Sequence, residues 1–496
     1  MFGELILIAL CVAVYLPTVW YFVVVDDIRW LGDVQKGMFE GKKNFLAHFY
    51  QRFYSGATFA HPKKCPLCKG NKEIDAINDE KKWIKIPCQQ CKGKGSYWDT
   101  DLRVEHAFTI AMHALCVVLI YEVLGRNDIS FWAAVLWAVN PTNLQTSVWL
   151  NGRRYQVNVV LTLAMLGCGY AGILFYIFTP ILHATAIFAP VLLGLPGIGI
   201  AVALLIATWD RYINPKIQAR MKSIVNKDMR VFSMKRLIII VKTFGFYISR
   251  MLWPFRPMMV YSFLTGWGMS DVGNRVAYKL DTHFFIGAAS LIAAGIGVFV
   301  FPDPQRWYLA FALLGTLQFC NILPAVQVYA DRYCILPNVF VMYFVSYLLH
   351  MTPWAVPVMA GLAAFYTAET RHGFRMFRDI ASWWAYHTFN DPKTPVRKFK
   401  INFQMKSGDI MGAWETIKEG LLAQPNDFAM NYQAAICMVQ MRDKNGFDRY
   451  IKKAEENHYL DQQASWQPQI DEMKAKWKEP PRPRHMSPAE FARSKR

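Results

Sequence analysis

The sequence predicts an all-α polytopic membrane protein with a small cysteine module inserted near one end and a soluble helical domain at the other. Three observations carry that prediction. Hydrophobic residues make up 54% of the 496 residues and are gathered into long blocks. Two Cys-x-x-Cys pairs interrupt the blocks early in the chain. After Thr370 the long apolar runs stop and a soluble helical pattern begins.

A bilayer crossing needs about 20 apolar residues. Runs of that kind recur at 3–25, 105–124, 129–147, 155–178, 182–208, 236–253, 283–302, 306–324, 335–350 and 353–368. The first lacks a small-residue cleavage pattern after it and reads as a retained anchor. Leu195-Pro196-Gly197 breaks the 182–208 run, which is then one long span or two short ones meeting in a turn. Two short spans bring the expectation to about 11 crossings. The basic loop 209–236 then faces the cytoplasm, in line with the positive-inside rule. The lysine-rich loop 26–104 falls on the outer side, and its length takes it beyond the reach of that rule. A single span at 182–208 would instead put both basic loops on one side. The net charge of +19 fits this topology and an attraction to anionic headgroups. Nucleic-acid binding is the weaker reading of that charge.

Cys65-Pro-Leu-Cys68 and Cys88-Gln-Gln-Cys91 are 19 residues apart, and glycine-bearing turns follow both, at Gly70 and at Gly93 and Gly95. Two such knuckles can aim four thiolates at one tetrahedral centre, with no position left open for catalysis. Cys65, Cys68, Cys88 and Cys91 are therefore expected to hold a structural zinc. A pair of disulfides is the alternative in an oxidising compartment. The second knuckle resembles a zinc unit of DnaJ-type chaperones, Cys-x-x-Cys-x-Gly-x-Gly.

Lys406 to Pro425 looks like the second half of a tetratricopeptide repeat. Gly408 would turn between helices, Ala413 would let them approach closely and Pro425 would end the second. A weaker copy follows, with Ala434, Ala435, Gly446 and Ala454. Such repeats run about 34 residues, and two of them cannot easily bury a core alone. The expected organisation is a first membrane helix and outer loop (1–59), a zinc module (60–98), a membrane domain (99–370), a tetratricopeptide-like domain (371–477) and a basic, Pro-rich tail (478–496).

Polar clusters sit at the ends of the apolar runs. They are Asp26-Asp27, His106 with its neighbours Arg103 and Glu105, the segment Asn140 to Tyr155, and the segment Asn321 to Pro337. Carboxylates there can act as general bases, and arginines at the bilayer edge can hold a phosphate by paired hydrogen bonds. Each cluster alone also reads as interfacial anchoring. In the 11-crossing topology all four share the outer face.

These segments resemble the TMTC-type O-mannosyltransferases and their bacterial relatives, in the GT-C glycosyltransferase superfamily. Phe22 to Asp27 is similar to the acidic pair of that family's first loop. His106 to His113 follows its His-x-x-Asn-x-x-x-His, with Thr109 for Asn. Asn140-Pro141 to Gly152-Arg153 follows its His-Pro-x-x-x-Glu…Gly-Arg, and Ala330-Asp331-Arg332-Tyr333 to Leu336-Pro337 follows its Ala-Glu-Arg-Tyr-x-x-Leu-Pro. Three departures stand out: Asn140 replaces His, Gln145 replaces Glu and Asp331 replaces Glu. The cysteine module is not a family feature. The resemblance implies a GT-C membrane domain that transfers a sugar from a polyprenyl-phosphate donor to a protein hydroxyl. Asp26 or Asp27 would be the base. Arg153, Arg154 and Arg332 would hold the donor phosphate, with His106, Asn140, Gln145, Trp149, Asp331 and Tyr333 around the site. The repeats would dock the acceptor protein or a partner subunit. A bacterial cell membrane is favoured over the endoplasmic reticulum, with the zinc loop and C-terminal domain outside. The competing reading is a non-catalytic scaffold or assembly protein of the same fold that binds partners through its zinc module and repeats.

Overall fold

The computed structural model describes residues 2–21, 58–59, 61–65, 67–77, 83–87, 95–176, 184–209, 233–259, 261, 280–322, 330–392, 394, 396–456, 470–471 and 474. Asp26, Asp27, Cys88 and Cys91 lie outside them. Among the described residues the chain is predominantly helical, with two short antiparallel β-ladders. It divides into two compact units, the first holding the described residues through Asn390 except Tyr261, the second those from Asp391 on. The expected boundary at 370–371 therefore falls later in the chain: the helix Ile380–Asn390 belongs to the first unit.

Three of the described helical segments are long and apolar enough to cross a membrane: Phe2–Trp20, Leu102–Val123 and Thr282–Val300. Asp128–Val139, Pro196–Thr208 and Ile335–His350 are apolar but shorter. Backbone chemistry shapes two of the apolar runs among the described residues. The 129–147 run stops being one helix at Asn140-Pro141, where the chain turns extended before a 3-10 turn. Proline there can start a turn but cannot continue the preceding helix. Among the described residues 184–208 the later run makes one helix. Short 3-10 turns at Ala184–Ala186 and Ala189–Leu193 lead to Gly194 in the left-handed region, and one helix, Pro196–Thr208, then begins with proline at its first position. Met234–Leu252 has membrane length but carries Lys242 and Arg250 among its apolar residues.

Met234–Leu252 and Thr282–Val300 pack backbone to backbone. A Cβ on Gly245 would collide with the His283 carbonyl, and one on Gly287 with the Val241 carbonyl. Small residues allow such an approach, as is usual between membrane helices. Beside this contact Lys242 Nζ meets Asp281 Oδ2 at 2.6 Å.

The cysteine module is a nested pair of ladders. His61–Lys64 pairs with Ser96–Asp99, and inside it Glu73–Ile77 pairs with Trp83–Pro87. The knuckle Cys65–Cys68 leaves the outer ladder and enters the inner one. Cys65 N–H donates to Gly95 O at 2.9 Å, and both Cys65 and Cys68 are buried. Gly95 sits at φ +77, and a Cβ there would come within 2.6 Å of Gly70 O. Glycine is required at that crossing both for its backbone angle and for its lack of a side chain.

The second unit contains four successive helices, Val396–Lys406, Ile410–Ala423, Phe428–Met441 and Lys444–Glu456. Gly408, at φ +80, makes the first turn. Asp409 and Asp427 cap the next two helices through Gly412 N–H and Met430 N–H, at 2.9 and 2.8 Å. Ala413, Ala434 and Ala454 are fully buried, among Ile401, Ile417, Met430, Phe447 and Ile451. These are two helical hairpins with alanine at the close contacts, which is the pattern expected of residues 396–456.

In the first unit, His387 Nε2 accepts from Met259 N–H at 3.1 Å, while Nδ1 lies 2.8 Å from the Trp383 carbonyl. The ring is neutral in this arrangement. Burial pushes its pKa from 6.5 down to about 4. The unfolded chain thus binds the proton more readily, and this contribution to stability is complete above the unfolded value and declines as pH falls through it. Thermal stability is expected to drop between pH 6.5 and 4 through this group, and His387→Gln should flatten that part of the profile. An unchanged slope in the variant would contradict the assignment.

Candidate functional site

The site is built on the buried segment between Asp128–Val139 and Arg153–Gly167. Asn140 opens it as a cap. Its Oδ1 accepts from Thr142 N–H at 3.0 Å and Thr142 Oγ1 at 2.7 Å, while its Nδ2 donates to Met251 O at 2.9 Å. The amide has an acceptor and a donor to give, and both are used to shape the turn. His113 braces the same turn, with Nε2 at 2.9 Å from Ala138 O and Nδ1 at 3.0 Å from Ser147 Oγ. Gly152 lets the segment fold back on itself, since a Cβ there would strike the Gln145 carbonyl.

Two arginines at the end of this segment have opposite surroundings. Arg153 is fully buried and pairs with fully buried Glu105, Nη1 to Oε2 at 2.6 Å. Its Nη1 also donates to Thr58 Oγ1 at 2.8 Å, its Nη2 to the Glu105 carbonyl at 2.7 Å and its Nε to Thr109 Oγ1 at 2.7 Å. Every nitrogen of the guanidinium is thus held by protein, with the charge matched at short range. The expected place for Arg153 was the donor phosphate; the structure places it on Glu105 instead.

Arg332 is 6% exposed. Its Nη1 donates to Gln145 Oε1 at 2.9 Å and its Nε to Tyr155 Oη at 3.1 Å. The guanidinium lies over the rings of Trp149 and Tyr333, at 5.5 and 5.2 Å from their centroids. All four partners are neutral. Among the described residues no carboxylate pairs with Arg332, and its Nη2 has no hydrogen-bond partner. Gln145 decides this outcome: the same shape as a glutamate, without the charge. Its Nε2 is fixed on Met258 O at 3.1 Å, which orients the oxygen toward Arg332. Trp149 is 3% exposed, and its indole N–H, a buried donor, also has no partner among the described residues. The guanidinium of Arg332, uncancelled by any carboxylate among the described residues, lies over the ring whose buried N–H is unsatisfied. Each is costly unless an anion or acceptor joins it.

The remaining predicted residues gather around these two. Arg154 reaches Tyr155 Oη from the other side, at 3.4 Å. Tyr333 stacks on Phe319 with centroids 4.6 Å apart. Asp331 is buried and lies 3.7 Å from Arg250. His106 is buried next to Glu105 in sequence and lies in the field of Arg153. Sequence reasoning noted Glu105 only as a neighbour of His106, and missed Lys242, Arg250 and Asp281. A lysine inside an apolar run was the available signal, because intramembrane charges are kept only with partners. The geometry suits binding of a compact anion. No family model, curated protein or solved structure matches this chain.

Removing one member of a buried pair leaves the other charge uncompensated, at a cost of about 3–5 kcal/mol. Arg153→Met is expected to destabilise the first unit on that scale, read as a lowered thermal midpoint in detergent. Adding Glu105→Gln should recover part of the loss. If Arg153→Met unfolds like the wild type, the pair is not the junction its geometry implies.

Proposed function

We propose that the chain is a GT-C-type membrane glycosyltransferase of about 11 crossings. It takes a sugar from a polyprenyl-phosphate donor and places it on a protein hydroxyl. The observation that carries this reading is Arg332, with which no carboxylate among the described residues pairs and whose guanidinium lies over the ring of Trp149 with its unsatisfied N–H, in a chain with helices long and apolar enough to cross a membrane. A phosphate supplies the counter-charge that Arg332 lacks among the described residues and the acceptor that Trp149 lacks there, and the lipid tail suits the apolar helices. Arg154 joins them, and Arg153 belongs to the scaffold of the site. Asp26 or Asp27 removes the acceptor proton. The C-terminal hairpins, as tetratricopeptide-like repeats, dock the acceptor protein, and they and the cysteine module face the outside of a bacterial cell membrane. A second reading has one specific support: Asn140 and Gln145 are amides spent on structural hydrogen bonds. It is a scaffold that binds the lipid phosphate and transfers nothing.

Donor binding and transfer separate the readings. Wild type should bind a polyprenyl-phosphate sugar, and Arg332→Met should weaken that binding at least about tenfold, the scale of a charge-assisted hydrogen bond. Asp→Asn at whichever of Asp26 and Asp27 is the base should keep binding and lower transfer about 10²- to 10⁴-fold. Arg332-dependent binding without transfer selects the scaffold. Binding indifferent to Arg332→Met removes both readings.

Cys65, Cys68, Cys88 and Cys91 are proposed to hold one structural zinc. The nested ladders and the Gly70–Gly95 crossing support it, because they leave Cys65 and Cys68 buried where the second knuckle follows the inner ladder. X-ray absorption on the purified chain should give four sulfurs near 2.3 Å, as in structural zinc sites (about 2.3 Å). A metal-free chain with two S–S bonds would overturn it.

A further inference from the structure

Glu105 does more than neutralise Arg153. Its second oxygen, Oε1, accepts from Phe59 N–H at 2.8 Å and from Thr100 Oγ1 at 3.0 Å. Phe59 lies just before the first strand of the cysteine module, His61–Lys64, and Thr100 just after the last, Ser96–Asp99. Both ends of the module thus close on one carboxylate. Arg153 adds a third tie through Thr58 Oγ1 at 2.8 Å. The Phe59 ring packs edge-on against Phe108 at 5.3 Å, and Arg153 lies over that same Phe108 ring at 5.4 Å.

We propose that Glu105 is a positioning residue that couples the folded state of the cysteine module to the anion site. Arg153 is the first residue of the helix Arg153–Gly167, and the next two residues, Arg154 and Tyr155, are those that meet around Arg332. When the outer ladder opens, Phe59 and Thr100 leave Oε1 of a carboxylate that is fully buried. That carboxylate then loses two donors it needs in a dry site, water enters to replace them, and the newly hydrated pair holds Arg153 less tightly. The start of the helix moves with it. A metal on the cysteines keeps the ladder closed, so its occupancy and anion binding favour each other, as linkage requires. The coupling rests on the proposed function only where anion binding is the readout.

Hydrogen exchange on the full chain in nanodiscs tests the coupling without that reading. Two variants open the module: Cys65→Ser with Cys68→Ser, and Gly95→Val, whose side chain collides with Gly70. Faster exchange in residues 61–77 identifies opening. The expected result is exchange raised at least about fivefold at residues 145–160 as well, the lower end of usual coupling between sites. In Thr100→Val, which cuts one tie and leaves the ion pair in place, opening the module should change 145–160 less. Glu105→Gln should abolish the response if it folds. Exchange at 145–160 that stays at the wild-type rate while 61–77 opens would overturn the proposal. The second readout is binding of inorganic phosphate and of polyprenyl phosphate, expected to weaken by a similar factor when the module opens. Loss of both ligands to the same extent marks the phosphate itself as the recognised group, and loss of the lipid alone marks the lipid headgroup in its membrane setting. If wild type binds neither, the proposed function fails while the exchange result still decides the coupling.

Discussion

The buried pair of Glu105 and Arg153 is the interaction on which the first unit depends. Two opposite charges at 2.6 Å, both without solvent, are stable only if every remaining hydrogen-bonding atom is also used. Here they are. Thr58, Thr109, the Glu105 carbonyl, Phe59 N–H and Thr100 complete the set. Those partners come from the helix Leu102–Val123 and both ends of the cysteine module, while Arg153 itself opens the helix Arg153–Gly167. A single desolvated contact therefore fixes the register of two helices and the base of an inserted domain. Substituting one charge disturbs all of them at once.

Arg332 shows the opposite use of the same chemistry. Its neighbours Gln145, Tyr155, Trp149 and Tyr333 hold the guanidinium in place without cancelling its charge. Planar rings above and an amide at the side fix its orientation, as a stacked arginine requires. The two arginines differ in one respect that matters. Arg153 faces a carboxylate, whereas Arg332 faces an amide that leaves its charge uncancelled. A glutamate at position 145 would have the same shape and would cancel the charge that the glutamine leaves.

Much of the fold was legible in the sequence, because it follows from local rules. Apolar blocks became helices at nearly every predicted place, and Gly408, Ala413 and Ala434 took the roles their spacing implied. The nested ladders were not read in the sequence, which showed only the paired knuckles and their glycines. The break in the 182–208 run was legible as Leu195-Pro196-Gly197, whereas apolar length alone left 129–147 whole although Asn140-Pro141 cuts it. The site was legible as a set of residues and not as a set of pairs. Arg153, Arg154 and Arg332 are alike in sequence, and only packing assigns Glu105 to one of them. Lys242–Asp281 and Arg250–Asp331 escaped for the same reason, as each joins segments far apart in the chain.

The account stands on Arg332 as a cation whose counter-charge comes from a ligand. Cryo-electron microscopy of the full chain in nanodiscs with polyprenyl phosphate tests this directly. The predicted map places the phosphate against Arg332 Nη2 and Trp149 Nε1, at about 2.8 Å from each. A map in which Arg332 is paired with a carboxylate of this chain, or in which the phosphate lies away from both side chains, would contradict it.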